Sequence, residues 1–218
     1  MPGERPGQAP QGRQRPGGGV ARARGGAEAV KVALIGTHGV GKTTLCYELA
    51  ARLKRRDVDV ELVREVARHC PLPINRETNE QAQSWILHTQ MAWELEAQAH
   101  HFLVLCDRSV LDNYCYLLYA EGPQPHWEPL LSRWLATYDL LVKVPLWTRP
   151  HWDGVRDTDE AFQRAIDELL DREIARRGLS VLRLEKDQRA RWGDVVMEAL
   201  EPMVAPIPPL FPEEEKLP

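Results

Sequence analysis

Short apolar runs alternate with longer amphipathic stretches between residues 29 and 204. Val30–Ile35 (VKVALI) is a nearly continuous apolar run, the pattern of a parallel strand buried on both faces. A helical stretch follows over 41–55, then a second strand over 58–63. Residues 79–101 read as a long helix carrying Trp85, Ile86, Met91 and Trp93. A third strand over 102–106 runs straight into Asp107, followed by a helix with Leu111, Tyr114 and Leu118. After a loop with Gly122, Pro123 and Pro125 come a helix over 127–136 and a fourth strand over 140–144, ended by Pro145.

The next helix is marked most clearly. Asp157 with Glu160 three residues on suits a capping box, with Asp in place of the usual Ser or Thr. Phe162, Ala165, Ile166 and Leu169 form an i, i+3, i+4, i+7 apolar face, and Gly178 sits where a C-terminal glycine belongs. A fifth strand over 181–184 and a last helix over 189–203 complete the series. Strands alternating with helices predict an α/β domain: a parallel sheet covered by helices on both faces, in three layers.

The two ends depart from this pattern. Residues 1–28 are rich in Gly and Pro and nearly without large apolar side chains, so they cannot bury enough surface to offset their ordering entropy. Their arginines, Arg13, Arg15, Arg22 and Arg24, could meet an anionic partner, but a solvated tail is the expectation. Residues 205–218 are Pro-rich and then acidic, a second tail. The folded domain is expected over 29–204.

Composition narrows the function classes. The 218 residues carry a net charge of −4 and a pI of about 6.0, which gives no general electrostatic reason to bind nucleic acid or an anionic membrane. No apolar stretch approaches the roughly 18 residues of a membrane span, and the N-terminal arginines precede no apolar signal core. Cys46, Cys70, Cys106 and Cys115 show no CxxC spacing and read as thiols of a reducing compartment, so the cytoplasm is expected.

The chemistry concentrates after the first strand. Gly36-Thr37-His38-Gly39-Val40-Gly41-Lys42-Thr43, with Thr44 following, fits G-x-x-x-x-G-K-[ST] at every fixed position. Glycines let the backbone wrap a phosphate, and successive N–H groups at a helix start form an anion nest. Lys42 would reach the β- and γ-phosphates of a nucleoside triphosphate, and the Thr43 hydroxyl would hold Mg²⁺. His38 occupies a variable place in the motif and reads as incidental.

A nucleotide site of this kind needs a carboxylate at a neighbouring strand's end to anchor the Mg²⁺ shell, and Asp107 supplies it. Asp107 or Ser109 could also cap the next helix. Arg108 suits a bidentate contact with phosphate or substrate, or else an ordinary i, i+4 pair with Asp112. Glu65, past the second strand, could accept the proton of a substrate hydroxyl, or simply pair with Arg68. Whether Glu65 or Asp107 is the base stays open at this level. Residues 147–157 form a loop rich in Trp and Arg, whose Arg149 and Arg156 suit a lid that neutralises developing charge and excludes water. Tyr114, Tyr116, Trp85 and Trp93 flank the presumed acceptor side, each more naturally a core residue than a stacking platform.

Three stretches together, Gly36 to Thr44, Val63-Arg-Glu-Val-Ala-Arg68 and Cys106-Asp-Arg-Ser-Val-Leu-Asp-Asn-Tyr114, resemble the AAA-type ATP-binding domain family that contains the bacterial ribosylnicotinamide kinase domain. The run from Val144 through Arg156 is similar as well. The resemblance covers most of residues 30–184. It implies a P-loop NTPase fold of nucleoside-kinase type with a five-stranded parallel sheet, ATP and Mg²⁺ as donor, and a nucleoside-like acceptor. The Asp-Arg-Ser element is also similar to one in deoxynucleoside and thymidylate kinases, and the regulatory and adenylyltransferase modules that accompany the ribosylnicotinamide kinase domain in multifunctional versions are not expected within these 218 residues.

The leading expectation is a small-molecule kinase. Two other classes remain: an ATP-dependent switch with little catalysis, and a nucleotide-binding module recruited through its tails. No Asn-Lys-x-Asp element of GTP specificity follows the fourth strand. The acceptor's identity and the oligomeric state are not legible.

Overall fold

The computed structural model describes residues 29–148 and 159–204. Five parallel strands form one sheet in the order β2-β3-β1-β4-β5: β1 (Val30–Ile35), β2 (Val60–Val63), β3 (Leu103–Asp107), β4 (Leu140–Lys143) and β5 (Leu182–Arg183). The central strand β1 pairs with β3 on one side, Leu34 opposite Asp107, and with β4 on the other, Leu34 opposite Val142. The chain therefore fills one side of β1 and then crosses to the other. The crevice above that reversal is where open parallel sheets bind ligands.

Alternation along β1 builds two cores. Val32 and Leu34 face α1 (Lys42–Lys54) and α6 (Trp192–Val204), joined by Leu49, Leu53, Val196 and Leu200. Ala33 and Ile35 face α2 (Glu80–His100), α3 (Val110–Glu121), α4 (Glu128–Leu135) and α5 (Glu160–Arg177), joined by Leu87, Leu111, Leu131 and Leu170. Burial on both faces explains the unbroken apolar reading of the strands. Lys31 is the exception, a fully buried cation on β1 paired to Glu94 of α2.

Several expected boundaries shift. The second strand begins at Val60, the third includes Asp107, and the last helical stretch is a 3-10 segment (Lys186–Arg191) running into α6. α5 is capped by Asp159, whose carboxylate accepts from the Ala161 and Phe162 N–H groups; the expected cap, Asp157, lies outside the described residues. The buried stripe of α5 is Phe162, Gln163, Ile166 and Leu170, with Ala165 and Leu169 only half-buried. It is rotated because the helix start packs on the phosphate loop. Among the described residues no helix is long and apolar enough to cross a membrane, and all four cysteines are free.

Candidate active site

The glycine-rich loop leaves β1 at Gly36 and enters α1 at Lys42. A Cβ on Gly36 would lie 2.7 Å from the Val144 carbonyl oxygen, so only glycine lets the loop pass β4 this closely. Gly41 is the N-cap of α1 at φ +97°, a left-handed conformation. It has no side chain to accept from the first-turn N–H groups, and that turn contains no acidic residue. The contrast with α2, α3 and α5, capped by Asn79, Ser109 and Asp159, is direct. The start of α1 thus has the donors and the dipole for an external anion, as a nucleotide phosphate would require.

Lys42 lies at the centre, 4% exposed, its ammonium donating to the carbonyls of Gly36 and Thr37 at 2.7 Å each. Burial, reinforced by the Arg108 charge, lowers its pKa to about 8 against the opposing pull of Asp112, Asp107 and Glu65. Thr43 donates its hydroxyl to Asp107 Oδ2 at 2.5 Å. Burial pushes the Asp107 carboxyl up, and the nearby Glu65 charge adds to this against Lys42. Thr44 is exposed on α1, while Val40 is buried and accepts the Trp147 indole N–H at 2.7 Å. Among the described residues no three His, Cys, Asp or Glu side chains converge on a metal site. Mg²⁺ held by Thr43 and Asp107 would complete its shell with phosphate oxygens and water.

The turn after β3 carries the second set. Arg108 adopts φ +97°, rare for a residue with a side chain, and is fixed on every side. Its N–H donates to the Leu34 carbonyl at 3.2 Å, and its Nε to Glu65 Oε1 at 2.7 Å. The expected alternative, a surface pair with Asp112, does not form. Asp112 instead completes a capping box with Ser109 and accepts the Gly36 N–H at 2.9 Å, joining phosphate loop to α3. Glu65 pairs through Oε2 with Arg68 at 2.8 Å, as one of its two sequence readings had it, and through Oε1 with Arg108, a partner the sequence did not indicate. Burial alone would raise its pKa; the charges of Arg108, Lys42 and Arg68 hold it well below the usual carboxylate range.

Beside these residues, on the β2–β3 side, a cavity is lined by Glu65, Arg108, His38, Gln83, Asn113 and Tyr116, with Ile74 and Ile86 as apolar walls. Three buried polar atoms around it have no hydrogen-bond partner: Gln83 Oε1, Arg108 Nη1 and Asn113 Nδ2. Unpaired buried polar groups are costly and rare, and these three are donors and acceptors available to water or to a polar ligand. His38 is not incidental to the packing. It is 2% exposed, its Nδ1 lies 3.1 Å from the Tyr116 hydroxyl, and its ring packs on Phe162. α5 is clamped to the loop reciprocally, Thr37 Oγ1 donating to the Gln163 carbonyl at 2.9 Å and Gln163 Nε2 to the His38 carbonyl at 2.8 Å.

Of the flanking aromatics only Tyr116 lines the cavity; Tyr114 is in the core, and Trp85 and Trp93 are half-buried on α2. Arg149 and Arg156, expected on a lid, lie outside the described residues. Gln83, Asn113 and Gln163 carried no sequence signal beyond their position on helices. Asp112 did carry one, because Ser109-x-x-Asp112 is a capping-box spacing.

A family model described as an AAA domain matches residues 31–191. Curated protein sequences return no match. Among solved structures, the chain is similar to deoxyadenosine kinase from M. mycoides with bound dATP, at TM-score 0.58 and 15% identity over 79% of this chain and 99% of that one. It is similar to NadR protein in complex with NAD and AMP-PNP, at TM-score 0.62 and 22% identity over 84% of this chain, but spans only 52% of that one. Thymidylate kinase from Candida albicans gives TM-score 0.54 and 14% identity over 81% of this chain and 92% of that one. At these identities the likeness is one of fold.

Proposed function

The chain belongs to the AAA domain family, and on that footing we propose that it is a kinase transferring the γ-phosphoryl group of MgATP to a hydroxyl of a nucleoside or nucleoside-like small molecule, of ribosylnicotinamide or deoxynucleoside type. The observation that carries this reading is the cavity beside the phosphate loop, where Gln83, Asn113 and Arg108 present unpaired buried polar atoms. A second polar site beside the phosphate loop supports transfer to an acceptor over a switch that only binds or hydrolyses ATP.

Each residue's part follows from its place. The loop N–H groups and Lys42 bind the phosphates, Lys42 exchanging its two carbonyl partners for phosphate oxygens. Thr43 and Asp107 would hold Mg²⁺, which would supply positive charge to offset that of the phosphates. Asp107 is turned toward Thr43, whereas Glu65 lines the cavity, so Glu65 is the carboxylate that meets the acceptor hydroxyl. Its low pKa suits that part. In a loose transfer the hydroxyl proton leaves late, and before that the carboxylate orients the oxygen by accepting its hydrogen bond.

Arg108, held by Glu65, keeps Nη1 for a phosphate or acceptor oxygen. Arg149 and Arg156, in the Trp- and Arg-rich stretch that follows β4, would supply further positive charge if that stretch acts as the lid its sequence suggests. Past β4 and β5 in the chain, the Arg189 guanidinium lies 3.8 Å from the centroid of the Trp147 ring, whose indole N–H is bonded to Val40 of the phosphate loop. The family setting, free cysteines and lack of a membrane-spanning helix among the described residues fit a cytoplasmic enzyme acting on small molecules.

The test is ADP release with MgATP across a panel of nucleosides including nicotinamide riboside and thymidine, with Lys42→Ala as control. An acceptor that raises release more than about a hundredfold, with loss in the control, establishes the kinase. ATP binding with no stimulation by any acceptor refutes it and leaves a switch.

A further inference from the structure

The mechanism above leaves unused the most deeply buried charges of the domain. Lys31 and Glu94 are both fully buried and pair at 2.9 Å. Glu94 is saturated: Oε2 accepts from Lys31 Nζ and from Trp134 Nε1 at 2.7 Å, and Oε1 from Tyr138 OH at 2.7 Å and Gln90 Nε2 at 2.8 Å. The Lys31 ammonium lies 4.6 Å from the ring centroids of both Trp134 and Tyr138. A buried ion pair is a poor way to gain stability, because apolar residues of like volume commonly do as well or better. Its retention on the central strand of a sheet calls for another reason.

That reason lies one residue beyond each of two partners. Gln90 Nε2 also donates to the Arg108 carbonyl at 3.3 Å. The Tyr138 oxygen also accepts the Val110 N–H at 3.3 Å. The two links grip the turn on either side of Ser109, and that turn carries Asp107 and the strained Arg108. We infer that Glu94, with Lys31 as its counter-ion, is a positioning residue that holds the Asp107–Arg108 turn through Gln90 and Tyr138. It touches neither substrate nor cavity. Its carboxylate fixes the Gln90 amide and the Tyr138 hydroxyl in the orientations that the turn's backbone needs. Strained backbone persists only where its surroundings over-determine it, and these bonds add two constraints to those from Leu34 and Glu65.

As a claim about catalysis this rests on the kinase reading, so the test has a readout independent of turnover. Gln90→Leu severs the link to Arg108 and leaves the ion pair whole. Tyr138→Phe reaches the same turn from the other side, so failure of one variant to fold still leaves the other. The first readout is the ¹⁵N-resolved Arg108 Nε–H resonance, assigned by its loss in Arg108→Lys. The second is acceptor-dependent turnover beside MgATP affinity and thermal midpoint.

The expected result is a shifted or broadened resonance in both variants. With it comes a fall in kcat of about 10–100-fold, the scale of an ångström's misplacement, at MgATP affinity within about twofold of wild type. An unchanged resonance overturns the inference, as does a kcat that falls only in step with MgATP affinity and thermal midpoint. If no acceptor stimulates the wild type, the kinase reading fails on that result, and the resonance still decides whether the links from Gln90 and Tyr138 hold the turn.

Discussion

Raising the pH through 8 should weaken nucleotide binding, and Lys42 sets the amount. In the ligand-free protein its ammonium is buried and titrates at about 8. Phosphate oxygens replacing two carbonyls add negative charge at the ammonium, so the bound form holds the proton to higher pH. Affinity is therefore fully present below pH 8 and declines above it, by tenfold per unit until the bound-state pKa is reached. Between pH 7 and 9 the free-state pKa alone predicts about tenfold weaker binding, or about 1.4 kcal/mol. The nucleotide does not confuse the reading, since a terminal phosphate's last ionisation lies near 6.

Calorimetric titration with MgATP from pH 7 to 9.5, in buffers of different ionisation enthalpy, measures both affinity and proton uptake. Lys42→Arg, which cannot lose its charge, should show no bend. Constant affinity and no proton uptake to pH 9.5 in the wild type would refute the argument. The shift has a counterpart in stability. The unfolded chain holds the Lys42 proton to about 10.5 and the folded chain only to about 8, so this group's contribution to stability rises with pH across that window. Lys42→Met should then raise the ligand-free thermal midpoint at pH 7, by no more than the equivalent of about 3 kcal/mol, while abolishing nucleotide binding.

Three further outcomes follow from the geometry. Gly36→Ala places a Cβ 2.7 Å from the Val144 carbonyl and should destabilise the fold by about 1–3 kcal/mol in chemical denaturation, weakening MgATP binding with it. Asn113→Leu or Gln83→Leu should raise the acceptor KM about tenfold or more with the MgATP KM unchanged, in steady-state kinetics on the acceptor found by the panel. Asp107→Asn removes the negative charge facing Thr43 and should raise the Mg²⁺ concentration for half-maximal activity, seen by titrating Mg²⁺ at fixed ATP.

The phosphate loop, the carboxylate ending β3 and the alternation that builds the sheet were legible because each is a local pattern. Glycine spacing, an apolar run closed by Asp107 and a helix after it lie within a few residues of one another. The cavity was not legible, because Gln83, Asn113 and Tyr116 sit on two helices and meet only after folding brings those helices side by side. The role of Lys31 was not legible either, since its partner Glu94 is 63 residues away. The face of α5 was read only in part, for a similar reason: Phe162 and Ile166 are buried as expected, but the stripe also takes in Gln163 and Leu170. Periodicity finds apolar residues, and Gln163 is buried to hydrogen-bond the phosphate loop. At the start of α5, Asp157 and Asp159 are both plausible caps by residue type, and only backbone geometry distinguishes them.

The clamp between α5 and the phosphate loop bears on how this chain can vary. On one side of residues 149–158, Trp147 is bonded to Val40; on the other, Gln163 is bonded to Thr37 and His38. The span between is thus a closed ring on the polypeptide, with both ends fastened to the same nine-residue cradle. Closing such a ring costs only about 0.6 kcal/mol more for each doubling of its length. A longer span grafted between Thr148 and Asp159 should therefore fold on the same anchors.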